Sequence, residues 1–396
     1  MFSMNKTDEL LKRGVENIYP NENFLKNLIL KKKIKLYQGF DPSTDSLHIG
    51  HLSGLIKLRQ FQNAGHWVIF LIGDFTGMIG DPTDKQAVRK KLTRTQTIKN
   101  AKNFEAQAKK ILRFSGENPA EIIYNSTWQD KITFKNLIEL TSNFTVQQMI
   151  ERDFFQERLK QEKPIFLHEF LYPVAQAIDS LELGVNLEIG GNDQMFNMMC
   201  GRSLVKAVKN KEKYVMTLKL LTDAEGEKIG KTTGNALSLS VSPNNLFGGI
   251  MSFNDVSILP GFELLTEISM REIKTLKKEL KLNPLDLKKR LAFEITKLIH
   301  SEKEALKAKQ EFEDVFQKRK NPTVLKVCQI EKGENIINTL ITANLASSRA
   351  EAKRLVKQGA VDLNGEKITD CEFLFGFKGE NIIRCGKHNF IKIICD

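Results

Sequence analysis

An α/β fold is what the sequence predicts: a parallel-sheet domain first, a helical domain after it and a small α+β domain at the carboxyl end. Three observations carry this. A strand–helix–strand unit spans residues 34–74, a second strand-to-helix junction lies in "NLEIGGNDQ" (Asn186 to Gln194), and helical periodicity from Asn244 gives way near Gly333 to one helix and a hairpin.

Residues 34–40, "IKLYQGF", read as a strand that ends by a glycine, and "HIGHLSGLIKLRQFQNAG" places Leu52, Leu55, Ile56 and Arg59 at helical spacing. The continuous apolar run of "WVIFLIGD" suits a strand buried on both faces of a parallel sheet. Together they make a βαβ unit of Rossmann-like outline. Its ligands belong at the carboxyl ends of the strands, beside the amino terminus of the next helix, where backbone N–H groups attract phosphate. This is the layout of a nucleotide-binding domain. "NLEIGGNDQ" repeats it, running through a Gly-Gly turn into the helix "DQMFNMMCGRSL".

From about Asn244 to Phe316 the pattern is helical, with Pro284 near a helix start and one long amphipathic run from Leu285 to Phe316. "QKRKNPT" (Gln317 to Thr323), polar and closed by a proline, marks a linker. Further on, Ser348 and Glu351 form a capping box at the head of "SSRAEAKRLVKQG", and Asn364-Gly365 turns a hairpin in "AVDLNGEKIT". The domains therefore read 1–243, 244–320, a linker over 321–332, and 333–396.

Composition limits the function. A chain of 396 residues, 41% hydrophobic and 27% charged, has enough apolar residues for two or three cores. No apolar run approaches the ~18 residues that span a bilayer. The start, "MFSMNKTDELLKRG", lacks the apolar segment of a secretory signal, which points to a cytoplasmic protein. Five cysteines without a CxxC pair argue against a disulfide framework or structural zinc and read as reduced core thiols. The net charge of +12 permits a polyanionic partner. Ten basic residues fall between Asp84 and Arg113, against only Asp84 and Glu105 of opposite sign. Such a run serves a solvated helix face or a bound polyanion.

The chemistry concentrates in two stretches. "SLHIGHL" puts His48 and His51 where a strand hands over to its helix, and "GEKIGKTTGN" (Gly226 to Asn235) puts Lys228 and Lys231 on a Gly-rich segment suited to neutralising developing polyphosphate charge. Tyr172, Gln176 and Asp179, spaced i, i+4 and i+7, share one helix face. Pro173 requires that helix to begin or kink near Tyr172.

HIGH (His48 to His51) followed by KIGKT (Lys228 to Thr232) resembles the paired motifs of class I aminoacyl-tRNA synthetases. "YQGFDPSTDSLHIGHL", "GMIGDPT" and "EFLYPVAQAID" narrow the resemblance to the tyrosyl-tRNA synthetase family of bacterial or organellar type, from about Val15 to the end. KIGKT stands where KMSKS is commoner. The resemblance implies activation of L-tyrosine by ATP with Mg²⁺, then transfer of the tyrosyl group to the 3′ end of tRNA(Tyr), by a homodimer with no protein-ligated metal.

It further implies that His48 and His51 meet the nucleotide phosphates and ribose, with Gly50 bare so that adenine can lie on the backbone. Gly39, Asp41, Gly191, Asp193 and Lys231 join them around ATP. Lys228 and Lys231, with Lys85 and Arg89, would bind departing pyrophosphate. Tyr37 and Asp179 are implied at the substrate phenol, Tyr172, Gln176 and Asp81 at its ammonium, and Gln194 on the amino-acid side. A site that must pair a hydroxyl rejects phenylalanine, a rule for which this family is itself the worked illustration. His66, His168, His300 and His388 are read as structural.

The carboxy-terminal part resembles an S4-like RNA-binding domain. Arg349, Lys353 and Lys357, with Arg354 beside them, make a basic stripe whose phosphate contacts orient RNA without reading its sequence. Three other readings stay open at this level: a tryptophanyl-tRNA synthetase, an HxGH nucleotidyltransferase, and an RNA-binding relative that has lost activation.

Overall fold

The computed structural model describes residues 6–82, 92–223, 226, 229, 237–317, 326–376, 379–386 and 389–395. The chain divides into two compact units, Met1–Leu306 and Lys307–Asp396.

In the larger unit, β1 (Val15–Tyr19), β2 (Lys35–Phe40), β3 (Trp67–Ile72), β4 (Glu121–Tyr124), β5 (Leu187–Gly191) and β6 (Tyr214–Leu218) form one sheet in the order β1-β6-β5-β2-β3-β4. β2 pairs in parallel with both β3 and β5, β3 with β4, and β5 with β6, while β1 runs antiparallel to β6. The chain leaves β2 toward β3 and β4 on one side and returns to β5 on the other. That reversal creates a crevice at the carboxyl ends of β2 and β5. The apolar runs of β2, β3 and β5 follow from double-sided cover: Leu36, Ile69, Phe70, Ile72 and Leu187 are all buried.

The helix Ile49–Asn63 follows β2 as expected, burying Leu52, Leu55, Ile56, Leu58 and Phe61. The helix carrying Tyr172, Gln176 and Asp179 spans Leu167–Leu183 and holds Pro173 inside it, so of the two expectations a start at Tyr172 is excluded. The proline forfeits a single bond, to the carbonyl four residues back. Val174, Ala177, Ile178 and Leu181 then anchor the helix in a shared core with Leu204 and Val205 of the helix Met195–Lys209. At its start the Glu169 carboxylate accepts from Phe166 N at 2.9 Å and pairs with Arg158.

The helical region consists of Pro243–Met251, Ile258–Leu265, Met270–Leu282, Pro284–Ile299 and Glu302–Phe312. Pro284 opens its helix, but the amphipathic run beyond it is two helices. Ser301 explains the break, because its Oγ accepts from Glu304 N at 3.2 Å and starts the second helix. Gly261 lets two of these helices touch: a Cβ there would stand 2.7 Å from Leu291 Cδ2.

Two buried cations stitch the amino terminus to this frame. Lys57 Nζ donates to the carbonyls of Leu10 (2.9 Å) and Arg13 (2.6 Å), at the end of the helix Lys6–Lys12. The Arg13 guanidinium donates to the carbonyls of Phe262, Glu263, Thr266 and Ile268, at and just beyond the end of Ile258–Leu265. Cations belong at the carbonyl end of a helix. Burial nevertheless pushes Lys57 down to about 7.

In the smaller unit, β7 (Lys326–Ile330), β8 (Val361–Leu363), β9 (Glu366–Ile368), β10 (Gly379–Cys385) and β11 (Asn389–Cys395) form a sheet in the order β7-β11-β10-β8-β9. β7 is parallel to β11 and the other pairs are antiparallel. The helices Ile336–Thr342 and Arg349–Lys357 cover it through Ile336, Leu340, Val356, Phe375 and Ile383. The span read as a linker thus includes a strand, β7, and its residues 321–325 lie outside the described residues. The hairpin turns where expected, with φ of 52° at Asn364 and 97° at Gly365, the left-handed pair that suits Asn-Gly. The capping box is only half made. Ser348 Oγ accepts from Glu351 N at 3.3 Å, but the Glu351 carboxylate accepts from Ser347 N at 2.8 Å, one residue upstream. Cys200 and Cys385 are buried thiols, Cys328 and Cys371 are half-buried against the core of the smaller unit, and the Cys395 side chain lies outside the described residues.

Candidate active site

A cavity of about 1070 Å³ opens at the β2/β5 crevice. Tyr37, Gly39, Asp41, His48, Gly50, His51, Asp81, Tyr172, Gln176, Asp179, Gly191, Asp193 and Gln194 all line it. The candidates Lys85, Arg89, Lys228 and Lys231 lie outside the described residues, as does His388.

His48 is the N-cap of the helix Ile49–Asn63, in extended conformation at φ −125°. Its Nδ1 accepts from Gly50 N at 3.1 Å, and its own backbone N–H donates to His51 Nδ1 at 3.1 Å. Each Nδ1 therefore spends its lone pair on a backbone donor, so each neutral imidazole carries its proton on Nε2. The rings lie 3.8 Å apart at 32°. A Cβ at Gly50 would come within 3.0 Å of His48 Cε1, so the glycine makes room for that ring. The motif is also fastened to the chain beyond the KIGKT stretch: Ile49 N donates to Leu237 O at 2.8 Å and Leu239 N to Leu47 O at 2.9 Å.

At the other side of the cavity, Asp179 is 3% exposed and accepts three bonds, from Trp128 Nε1 (2.8 Å), Gln129 Nε2 (2.8 Å) and Asn125 Nδ2 (3.1 Å). Burial raises its carboxyl to about 7, and the three bonds oppose the rise. Tyr37 does not bond Asp179; its hydroxyl meets Ser180 Oγ at 2.8 Å. Burial, then Glu188 and Asp179, hold the Tyr37 phenol well above its usual range.

Between these ends runs a polar wall. Asp41 accepts from Thr76 Oγ1 (2.6 Å) and Tyr172 Oη (2.8 Å), and Asn125 Nδ2 donates to Thr76 Oγ1 at 3.0 Å. Asp81 accepts from Gln194 Nε2 at 2.7 Å, and Gln194 Oε1 accepts from Asn197 Nδ2 at 3.0 Å. Gln176 Nε2 donates to Glu188 Oε1 at 2.9 Å. Asp193 is exposed at the rim, and a Cβ on Gly191 would overlap its Oδ1 at 2.4 Å.

Sequence reasoning missed Asn125, Trp128, Gln129, Ser180, Glu188 and Lys213. Asn125 follows β4 at its carboxyl end, the position that marks ligand-side residues in a parallel sheet, and so had a readable signal. Trp128 and Gln129 follow it on the short helix Ser126–Gln129, and Ser180 sits one turn beyond Gln176, whereas Glu188 and Lys213 come from separate elements and share no spacing with the rest. His168, read as structural, is exposed on the cavity rim beside Phe166, whereas His66 is a buried acceptor for Ile34 N at 3.3 Å. The basic run is mixed: Arg94 pairs with Asp74 at 3.1 Å, while Lys99, Lys102, Lys109 and Lys110 are exposed. In the smaller unit Arg349, Lys353, Arg354 and Lys357 are all exposed on one helix. Among the described residues no group of three His, Cys, Asp or Glu side chains is placed to hold a metal ion. Nor is any helix among them long and apolar enough to cross a membrane.

The model of the class I tRNA synthetase family (W and Y) matches residues 30–317, and that of the tyrosine–tRNA ligase SYY-like C-terminal domain matches residues 311–393. The tyrosine–tRNA ligase of Thermotoga maritima is 39% identical, over 97% of this chain and 96% of its own. Tyrosine–tRNA ligase 2 of Vibrio cholerae is 40% identical, over 97% of each. A solved C-terminally truncated mitochondrial tyrosyl-tRNA synthetase from Coccidioides posadasii superposes with a TM-score of 0.64 at 25% identity, covering 78% of this chain and 92% of that one. Tyrosyl-tRNA synthetase from Archaeoglobus fulgidus, complexed with L-tyrosine, shares the fold at a TM-score of 0.59 and 20% identity, covering 78% and 100%. The motifs, the switch-point cavity and these likenesses over the whole chain agree: the chain belongs to the class I tRNA synthetases and, within them, to the tyrosine–tRNA ligases.

Proposed function

We propose that this cavity activates L-tyrosine with MgATP and that the tyrosyl group then passes to the 3′ end of tRNA(Tyr). In the first step a carboxylate oxygen of tyrosine bonds to the α-phosphorus of ATP, the α–β bridging P–O bond breaks, and pyrophosphate leaves. In the second, a terminal ribose hydroxyl attacks the adenylate carbonyl and AMP leaves. The attacking carboxylate is already ionised, so no general base is required and the rate comes from positioning and charge stabilisation.

The observation that carries the substrate choice is Asp179, a buried carboxylate kept ready by three donors in the same cavity as the Tyr37 hydroxyl. Its remaining acceptor capacity suits a phenol O–H. Tyr172, Gln176 and Asp81 form the ammonium side, with Gln194 beside them. His48 and His51 aim Nε2–H donors from a helix amino terminus, where backbone N–H groups favour phosphate. Gly39, Asp41, Gly50, Gly191 and Asp193 flank the rest of the nucleotide. Lys228, Lys231, Lys85 and Arg89 meet the pyrophosphate, and Mg²⁺ arrives on the ATP phosphates as part of the substrate.

In this reading residues 1–243 activate tyrosine, the helices of 244–320 meet the anticodon end of tRNA, and 333–396 with β7 hold RNA along Arg349, Lys353, Arg354 and Lys357. The protein works in the cytoplasm as a homodimer. Support for self-association comes from exposed apolar side chains such as Phe134, Ile138, Val146 and Leu167, whose cover by a second copy would remove them from water.

ATP–pyrophosphate exchange with each amino acid in turn tests the reading. Exchange with tyrosine alone supports it, and equal exchange with tryptophan overturns it.

A further inference from the structure

At the cavity wall, with Glu188 among the lining residues, lies a stack of polar groups to which the activation chemistry assigns no role. Lys213 is fully buried, Glu188 is 1% exposed and Ser180 is fully buried. The Lys213 ammonium pairs with Glu188 Oε2 and donates to Ser180 Oγ at 2.5 Å and to Met198 O at 3.4 Å. Ser180 Oγ donates to Glu188 Oε2 at 3.0 Å, and Gln176 Nε2 donates to Glu188 Oε1 at 2.9 Å. Space for the ammonium is built in: a Cβ on Gly201 would stand 2.6 Å from both Lys213 Nζ and Ser180 Oγ.

Two members fix the direction of their own bonds in this stack. An ammonium can only donate and a carboxylate can only accept. Ser180 therefore spends its one proton on Glu188 and accepts from Lys213. The Tyr37 hydroxyl lies 2.8 Å from Ser180 Oγ and also hydrogen-bonds Glu188; donating its proton into this stack leaves the Tyr37 oxygen with a lone pair for the cavity. The same logic sets Gln176. Its amide nitrogen faces Glu188, so its carbonyl oxygen is the end left over, and that is the end able to accept from an ammonium.

Resting on the functional reading above, we infer that Glu188, backed by Lys213, is a positioning residue for tyrosine: it orients the Gln176 amide and, through Ser180, the Tyr37 hydroxyl. One buried carboxylate thus sets the hydrogen-bonding polarity at both ends of the amino acid. With Asp179 also an acceptor, the phenol end demands a donor, which tyrosine has and phenylalanine lacks.

The test is Glu188→Gln combined with Lys213→Met, which removes both charges at nearly constant volume and avoids stranding one of them. Pyrophosphate exchange should show KM for tyrosine raised about tenfold, the scale of one lost hydrogen bond to a charged group. KM for ATP should stay within about twofold, and the preference for tyrosine over phenylalanine should narrow. A structural defect would raise both KM values, and that result overturns the inference. Ser180→Ala, a smaller change, should narrow the tyrosine-to-phenylalanine ratio without raising KM for phenylalanine; an unchanged ratio removes the Tyr37 branch. In a Gln176→Leu background the paired substitution should add less than about threefold to KM for tyrosine, because coupled residues are not additive. A full multiplicative effect there overturns the Gln176 branch. Wild-type protein that fails to exchange with tyrosine would instead overturn the functional reading itself.

Discussion

The indole Nε1 of Trp128 donates to Asp179 Oδ1 at 2.8 Å, one of three bonds that favour the charged form of a fully buried carboxyl raised to about 7. A phenol O–H bonds the ionised carboxylate more strongly than the neutral carboxyl. KM for tyrosine should therefore fall as pH rises through about 7, while KM for phenylalanine should not follow it. Trp128→Phe removes one bond to the charged form and should move the midpoint up by about one pH unit. Identical pH profiles for the two amino acids would remove Asp179 from the phenol site.

Stability carries the same group with its own sign. Between its ordinary value of 3.8 and about 7, the folded chain keeps a proton on Asp179 that the unfolded chain has released. The unfolded state binds fewer protons there, so this contribution to stability declines as pH rises through that window. Asp179→Asn should flatten the decline. Urea midpoints at several pH values read it out, and parallel curves for the two proteins would refute it.

Gly50→Ala places a methyl where His48 Cε1 stands 3.0 Å away. The ring must turn and lose its bond from Gly50 N. The expected result is a fall of roughly tenfold or more in kcat for pyrophosphate exchange, with KM for tyrosine within about twofold, because a misplaced positioning group costs rate rather than affinity for a distant partner. A rise confined to the tyrosine KM would contradict the placement of His48 at the nucleotide.

Gly261→Ala should cost about 1–3 kcal/mol of stability, the usual penalty of overpacking, since its Cβ would meet Leu291 Cδ2 at 2.7 Å. Leu291→Ala in the same chain should recover part of that loss. Thermal melts of the two single variants and the double decide it, and strict additivity would show that the two helices do not meet at this point.

Lys353→Glu with Lys357→Glu should leave pyrophosphate exchange unchanged and weaken charging of tRNA(Tyr). Each lost phosphate contact lowers the dependence of log affinity on log salt by roughly 0.7 to 0.9. An unaltered salt dependence would mean that this exposed stripe is a solvated face.

Much of this was legible in the sequence because the relevant signals are local. The strand, cap and helix around His48 occupy one continuous stretch, and the Asn-Gly hairpin declares itself through the left-handed conformations that Asn364 and Gly365 adopt. Pro173 left two outcomes open because proline rules are local, while the helix runs on through it because its hydrophobic face packs on a distant one. The partners of Asp179 come from residues 125–129, about fifty positions upstream, and Lys213 reaches Glu188 across two neighbouring strands. Such contacts depend on strand order, and strand order leaves no mark in residue spacing.

The ammonium of Lys213, 6.0 Å from the Tyr37 ring centre, has a consequence for anyone who would retarget the pocket to unnatural amino acids. With tyrosine bound as proposed, trimming Tyr37 to a small side chain would lengthen the space for para-substituents, but the wall so uncovered is the Ser180 hydroxyl beside an ion pair. Such a wall rewards groups that hydrogen-bond and disfavours alkyl chains, which would leave it unpaired. The reachable alphabet therefore leans toward phenylalanines whose para group donates a hydrogen bond, such as hydroxyl- and amide-bearing ones, since the groups that line this end accept. Greasy ones call for Glu188 and Lys213 to be replaced as a pair along with Tyr37.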